Sequence, residues 1–158
     1  MTDLDSAAAE LVAALKRRGE TLAAAESLTA GLVCATVARI PGASAVLRGG
    51  FVVYATELKH ELAGVDEQLL AEHGAVHPEV AAQLADGARA RCGSTWGLGL
   101  TGVAGPDWQD GVPPGTVHIG LSGPSTRVVR TTSETGDRDM IRTASVGAAF
   151  SLLREHLH

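Results

Sequence analysis

The chain has 158 residues, enough for one domain with an ordinary hydrophobic core. With 45% hydrophobic and 20% charged residues it falls among globular rather than disordered chains. A net charge of −5, 3% aromatic residues and no basic run beyond Lys16-Arg17-Arg18 argue against a nucleic-acid platform or a membrane-surface binder.

Residues 4–18 carry apolar side chains at helical spacing, and Gly19 stops that helix. Thr21 to Ala25 is short and apolar and predicts a buried strand, followed by a helix from about Leu28 to Ala38 that Pro41-Gly42 terminates. Leu47 to Ala55 predicts strand two, with Gly49-Gly50 marking a bulge or a close backbone approach. Thr56 to Ala63, closed by Gly64, and Asp66 to His73, closed by Gly74, predict two short helices. Pro78 to Cys92 predicts a longer one, with proline in its first turn. Thr95 to Leu100 is strand three. The Gly/Pro-rich loop "TGVAGPDWQDGVPPG" follows, then a hairpin of "TVHIGLSG" and "TRVVRTT", then a last helix from about Asp137 to His156. Strands alternating with helices and ending in a hairpin imply a single-domain α/β chain, a three-layer α/β/α sandwich with a mixed central sheet.

The two cysteines, Cys34 and Cys92, lie in apolar, helix-like settings and are expected to be buried free thiols in a reducing compartment. An acidic N-terminus without a basic start, and no apolar run of ~18 residues, point to a cytoplasmic protein. His73 and His77 have a spacing that invites a metal reading, but Gly74 breaks the helix that would align their rings. His77 before Pro78 reads more simply as a helix start, and no metal or cofactor site is expected.

In a sheet of this kind function gathers at the carboxyl ends of the strands. Three segments qualify. Ser27 follows strand one, where it is either the N-cap of the next helix or a nucleophile at a helix start. Tyr54 and Lys59 bracket the end of strand two. Tyr54, the only tyrosine, is either a core or rim aromatic or a proton relay. Lys59 is one of two lysines against eleven arginines; it is either a surface lysine or a base. With Thr56 as cap, Lys59 lies in the first helical turn, where the positive helix end lowers its pKa. Third, Thr101-Gly102-Val103-Ala104-Gly105-Pro106 follows strand three, and its glycines allow close backbone approach to a ligand. It lacks the Gly-Lys-Ser/Thr ending of a P-loop.

Taken together, "AESLTAGL", "PGASAVLRGGFVVYATELKHELAGV", "AEHGAV", "LTGVAGP", "GTVHIGL" and "GDRDMIR" run in order across nearly the whole chain. On these motifs the sequence resembles the CinA C-terminal domain family, here as a free-standing domain. The resemblance implies an α/β/α sandwich. It also implies a metal-independent amidohydrolase acting on the carboxamide of nicotinamide mononucleotide to give nicotinate mononucleotide and ammonia. The family's serine nucleophile falls on Ser27, and its tyrosine and lysine fall on Tyr54 and Lys59. Its Thr-Gly-Ile-Ala-Gly-Pro loop falls on Thr101 to Pro106, which makes Thr101, Gly102, Ala104 and Gly105 expected substrate contacts. Glu26, Thr29 and Gly31 of the serine motif are expected at the substrate as well, with Glu26 orienting the site.

Several positions depart from the family pattern. Leu28-Thr29-Ala30-Gly31 stands where the family has Cys-Thr-Gly-Gly, Tyr54-Ala55-Thr56 replaces Tyr-Ser-Asn, and Asp107-Trp108-Gln109 stands where glycines usually continue. Trp108 would then be a lid over the pyridine ring or a block on it. The resemblance implies a nucleotide partner and a homodimer or larger assembly. The alternatives are a non-catalytic nucleotide-binding module and an amidase for a related pyridine or amide. An acidic chain needs local cations to hold a phosphate. Arg138 and Arg142, one turn apart at the start of the last helix, are the expected pair, with Arg48 a third candidate. Surface pairing with Glu134, Asp137 or Asp139 is the alternative for the first two.

Overall fold

The computed structural model describes residues 2–158. Five strands form one mixed sheet in the order β2-β1-β3-β4-β5. These are β1 (Leu22–Glu26), β2 (Leu47–Val52), β3 (Trp96–Gly102), β4 (Thr116–Gly123) and β5 (Thr126–Ser133). β2, β1 and β3 run parallel, whereas β4 and β5 are antiparallel to their neighbours. The helices are α1 (Asp3–Arg18), α2 (Leu32–Ala38), α3 (Thr56–Ala63), α4 (Glu67–His73), α5 (Pro78–Cys92) and α6 (Arg138–Glu155).

Side chains alternate across a strand, so each strand feeds two cores. Leu22 and Ala24 of β1 pack with Leu11, Leu15, Val33, Val37, Phe150 and Leu153 from α1, α2 and α6. Ala23 and Ala25 pack instead with Ala63, Leu70, Val80 and Leu84 from α3, α4 and α5. This is the three-layer sandwich the element pattern implies. α5 lies unusually close to the sheet. A Cβ on Gly99 would sit 2.3 Å from Ala81 O, and one on Gly120 would sit 2.2 Å from the same oxygen, so the sheet presents glycines beneath that helix.

α3 and α5 occupy the predicted spans, and the Gly49-Gly50 signal marks a real bulge. Leu22 pairs with Leu47 but Ala23 pairs with Gly49, leaving Arg48 as the extra residue. Three boundaries differ from expectation by two or more residues. α2 begins at Leu32 rather than Leu28, because Ala30 (φ 47) and Gly31 (φ 97) are left-handed and hold residues 28–31 in a turn. β2 stops at Val52, and β3 runs on through Thr101 and Gly102. Both cysteines are free but only half-buried. Burial, together with the Glu26 carboxylate nearby, pushes the Cys34 thiol up to about 12.

Among the described residues no helix is long and apolar enough to cross a membrane.

Candidate active site

The chain order leaves β1 for β2 on one side and later returns to place β3 on the other. The gap beyond the carboxyl ends of β1 and β3 is therefore the topological switch point, where open α/β sheets bind ligands. A cleft of about 360 Å³ opens there. Ser27 and Leu28 line it from the end of β1, Tyr54 from the segment after β2, Gly102 from the last position of β3, Val103 to Gln109 from the loop that follows, and Arg138 from the first turn of α6.

The turn carrying Ser27 is fixed from both sides. Below it, the buried Glu26 carboxylate accepts from Thr29 Oγ1 (2.7 Å), Val33 N (2.8 Å) and Cys34 N (3.1 Å). Two of these donors are orphan amides of the α2 N-terminus, so Glu26 does the capping work sequence reasoning offered to Ser27. The N-cap position itself is Gly31. From α6, Arg142 Nε donates to Leu28 O (2.9 Å) and its NH2 group to Thr29 O (3.1 Å). Ser27 itself is nearly buried, and its side chain donates to no protein group among the described residues.

Backbone groups also line the cleft. The Ser27 amide is taken by Leu100 O (3.0 Å) and the Ala30 amide by Ser27 O (3.0 Å). The amides of Leu28, Ala104 and Gly105, all cleft-lining residues, are among those with no protein acceptor among the described residues.

Lys59 is buried, at 1% exposure, and is not the surface lysine of the alternative reading. Its Nζ donates to Val53 O (2.8 Å) and Tyr54 O (3.3 Å). Val53 in turn donates its amide to Glu26 O (2.8 Å), which ties the lysine to the residue preceding Ser27. The lysine pKa falls to about 8. The direction matches expectation, but the cause is loss of solvent at a buried site; Glu57 opposes it. The cap of α3 is Ala55, not Thr56, which places Lys59 one residue deeper into the helix than expected. No hydrogen bond joins Ser27 to Lys59 or to Tyr54 among the described residues. Tyr54 is a rim aromatic at 55% exposure, and its hydroxyl accepts from Arg138 (2.6 Å).

Other expected contacts are not brought to the cleft. Arg48 lies at the amino end of β2, the opposite end of the sheet, where it donates to Cys92 O. Thr101 is buried and donates to Ala75 O (2.7 Å), because strand alternation turns it to the α4–α5 side. Thr29 is fully buried under the Ser27 turn, while Gly31 and Glu26 support that turn from outside the cleft lining. The arginine pair divides: Arg138 lines the cleft, bonded to Gly105 O and Tyr54, whereas Arg142 is spent on the turn carbonyls and on Asp139 (3.6 Å). His77 is the N-cap of α5 and accepts from Glu79 N (3.1 Å), as its place before Pro78 implied. Sequence reasoning missed the role of Arg142, for which the spacing in "GDRDMIR" was the only signal.

A family model described as the CinA C-terminal domain matches residues 4–157. The chain belongs to the CinA C-terminal domain family. It is 50% identical over 153 residues to a CinA-like protein of Frankia casuarinae, covering 97% of this chain and 35% of that protein. It is 45% identical over 153 residues to a putative competence-damage inducible protein of Streptococcus pneumoniae, covering 96% of this chain and 37% of that one. The chain thus spans about a third of the length of these relatives. Solved structures agree on the fold. The competence/damage inducible protein CihA of Agrobacterium tumefaciens superposes with a TM-score of 0.94 at 30% identity, over 98% of this chain and 96% of that one. A competence damage-inducible protein A of Klebsiella pneumoniae gives 0.95 at 28%, over 99% and 98%. This CinA domain is a mixed five-stranded α/β/α sandwich with Ser27 in its switch-point cleft.

Proposed function

We propose that this CinA domain hydrolyses the carboxamide of nicotinamide mononucleotide to nicotinate mononucleotide and ammonia through an acyl-enzyme at Ser27. The observation that carries this reading is the placement of Ser27. It sits at a strand end in a cleft with unpartnered amides beside it and a buried lysine of lowered pKa anchored one residue upstream.

Ser27 Oγ attacks the carboxamide carbon, and its proton passes to the neutral amine of Lys59. The amine of Lys59 already uses two donors on Val53 O and Tyr54 O, which leaves its lone pair as acceptor. The negative oxygen formed in this step is met by the amides of Leu28, Ala104 and Gly105. The C–N bond then breaks, the nitrogen departs as ammonia with the proton from Lys59, and water hydrolyses the ester to free Ser27 and the carboxylate. Ser27 and Lys59 are not hydrogen-bonded in the free protein, so the substrate complex must close that gap. Arg138, the one cationic side chain among the cleft-lining residues, takes the phosphate.

A second reading, a nucleotide-binding module without turnover, is favoured by one observation: the Tyr54 hydroxyl is held by Arg138 rather than by Ser27 or Lys59. Incubating the purified protein with nicotinamide mononucleotide and measuring ammonia separates the two. Stoichiometric, continuing release supports the amidase; binding without release supports the second reading.

A further inference from the structure

The chain has five aromatic side chains, two Trp, one Tyr and two Phe. Trp96 and Phe150 are buried and Phe51 is half-buried. The two exposed ones, Tyr54 at 55% and Trp108 at 66%, both line the cleft that holds Ser27. The two tryptophans differ in the same sense. Trp96 donates its ring N–H to Glu20 (3.1 Å), whereas the Trp108 ring N–H has no protein acceptor among the described residues. A large aromatic surface left in water at the edge of a polar cleft is surface available to a ligand.

The charges around that ring are not symmetric. Arg138 is held on the side of Tyr54 and Gly105 O, while the residue next to Trp108 in the cleft wall is Asp107. An indole face attracts cations through its quadrupole, more strongly than a tyrosine or phenylalanine ring. The cleft thus offers a guanidinium for an anionic group, and an indole with a carboxylate beside it for a planar cation.

We propose that the Trp108 indole is the stacking face for the ligand's ring, and that it selects a positively charged N-substituted pyridinium over a neutral ring of the same shape. This rests on the amidase reading for the identity of the ligand, and adds the residue and the charge state that decide its recognition.

The test uses the full chain carrying Ser27→Ala, so that ligand is not consumed during titration. Trp96 is buried away from the cleft, so quenching of intrinsic fluorescence reports Trp108. Nicotinamide mononucleotide should quench it saturably. By calorimetry it should bind at least about fivefold more tightly than its uncharged dihydropyridine form, the size of a modest cation–π contact. Trp108→Leu should abolish the quench and equalise the two affinities, and Trp108→Phe should keep part of the preference. Equal affinity for the two ring forms, or an unchanged affinity in Trp108→Leu, overturns the proposal. Ammonia release by otherwise unaltered protein separates the two ideas. Release with a KM that Trp108→Leu leaves unchanged sinks the stacking and spares the amidase. Quenching and charge preference without release support the stacking and sink the amidase.

Discussion

The antiparallel hairpin and the carboxyl ends of the parallel strands belong to one sheet but place their charged groups in opposite ways. β4 and β5 pair without interruption from Thr116–Ser133 to Gly123–Thr126. Their charges sit at the surface, Arg127 between Glu79 (2.8 Å) and Asp86 (2.9 Å) and Arg130 against Glu155. At the carboxyl ends, the Glu26 carboxylate and the Lys59 amine are buried, Val53 accepting from Lys59 Nζ at its carbonyl and donating its amide to Glu26 O; the left-handed Ala30 is strained, and the amides of Leu28, Ala104 and Gly105 lack acceptors among the described residues. Surface pairs of the first kind contribute little, while buried groups of the second kind are costly to leave unpaired. The hairpin closes the fold; the strand ends hold polar groups that folding alone does not require.

Apart from the nucleophile itself, the largest expected contrast is at Lys59. Lys59→Met should lower kcat by a factor on the order of 10²–10⁴. In the unaltered protein kcat/KM should rise with pH through about 8, as the amine loses its proton. The sign of the stability effect follows from the same shift. The folded pKa, about 8, lies below the ordinary lysine value of 10.5, so between those values the unfolded chain binds more protons and stability rises with pH. Below about 8 both states are charged and the burial penalty is constant. The stability that Lys59→Met gains over the unaltered protein should therefore shrink across that window. A flat activity profile would remove the lysine from the chemistry.

Next come the two groups that fix the Ser27 turn. Glu26→Gln puts an amide NH₂ among three donors, and should cost about 2–3 kcal/mol in denaturant unfolding. Arg142→Ala should cost about 1.5–3 kcal/mol and lower activity equally on nicotinamide mononucleotide and nicotinamide riboside. The corresponding cut in the hairpin, Arg127→Ala, should cost less than about 1 kcal/mol and leave activity unchanged. If Arg127→Ala and Arg142→Ala destabilise alike, the contrast between the two ends fails.

Arg138→Ala should raise KM for nicotinamide mononucleotide by about tenfold or more, the loss of one charge-assisted contact, and have a much smaller effect on the riboside. The smallest effect is expected at Ala30. Its φ of 47 suits glycine, and Ala30→Gly should raise stability by up to about 1 kcal/mol as seen by the unfolding midpoint.

The elements that could be read from the sequence are those bounded by strong local chemistry. Pro78 and Gly93 delimit α5, and Gly64 in the left-handed region closes α3. α2 could not be placed the same way, because its apolar spacing extends back to Leu28 while the chain actually turns at two left-handed residues. The position of Ser27 was legible, since a strand-to-helix connection puts it at the carboxyl edge. Two misplacements had a readable cause. Arg48 stands at the start of its strand, the wrong end for the site, and Thr101 alternates with Leu100, which fills the opposite core. What periodicity does not carry is the partner of a long side chain. That Arg138 reaches the cleft while Arg142 grips Leu28 O and Thr29 O depends on where α6 packs.

Ser27 is the proposed nucleophile, and ammonia release by Ser27→Ala tests that role most directly. The side chain makes no protein hydrogen bond among the described residues, so the variant should fold with a midpoint shifted by less than about 1 kcal/mol. It should still quench Trp108 on adding nicotinamide mononucleotide, yet release ammonia more slowly by a factor on the order of 10⁴ or more. A folded, nucleotide-binding Ser27→Ala protein that releases ammonia at the unaltered rate would contradict the mechanism outright.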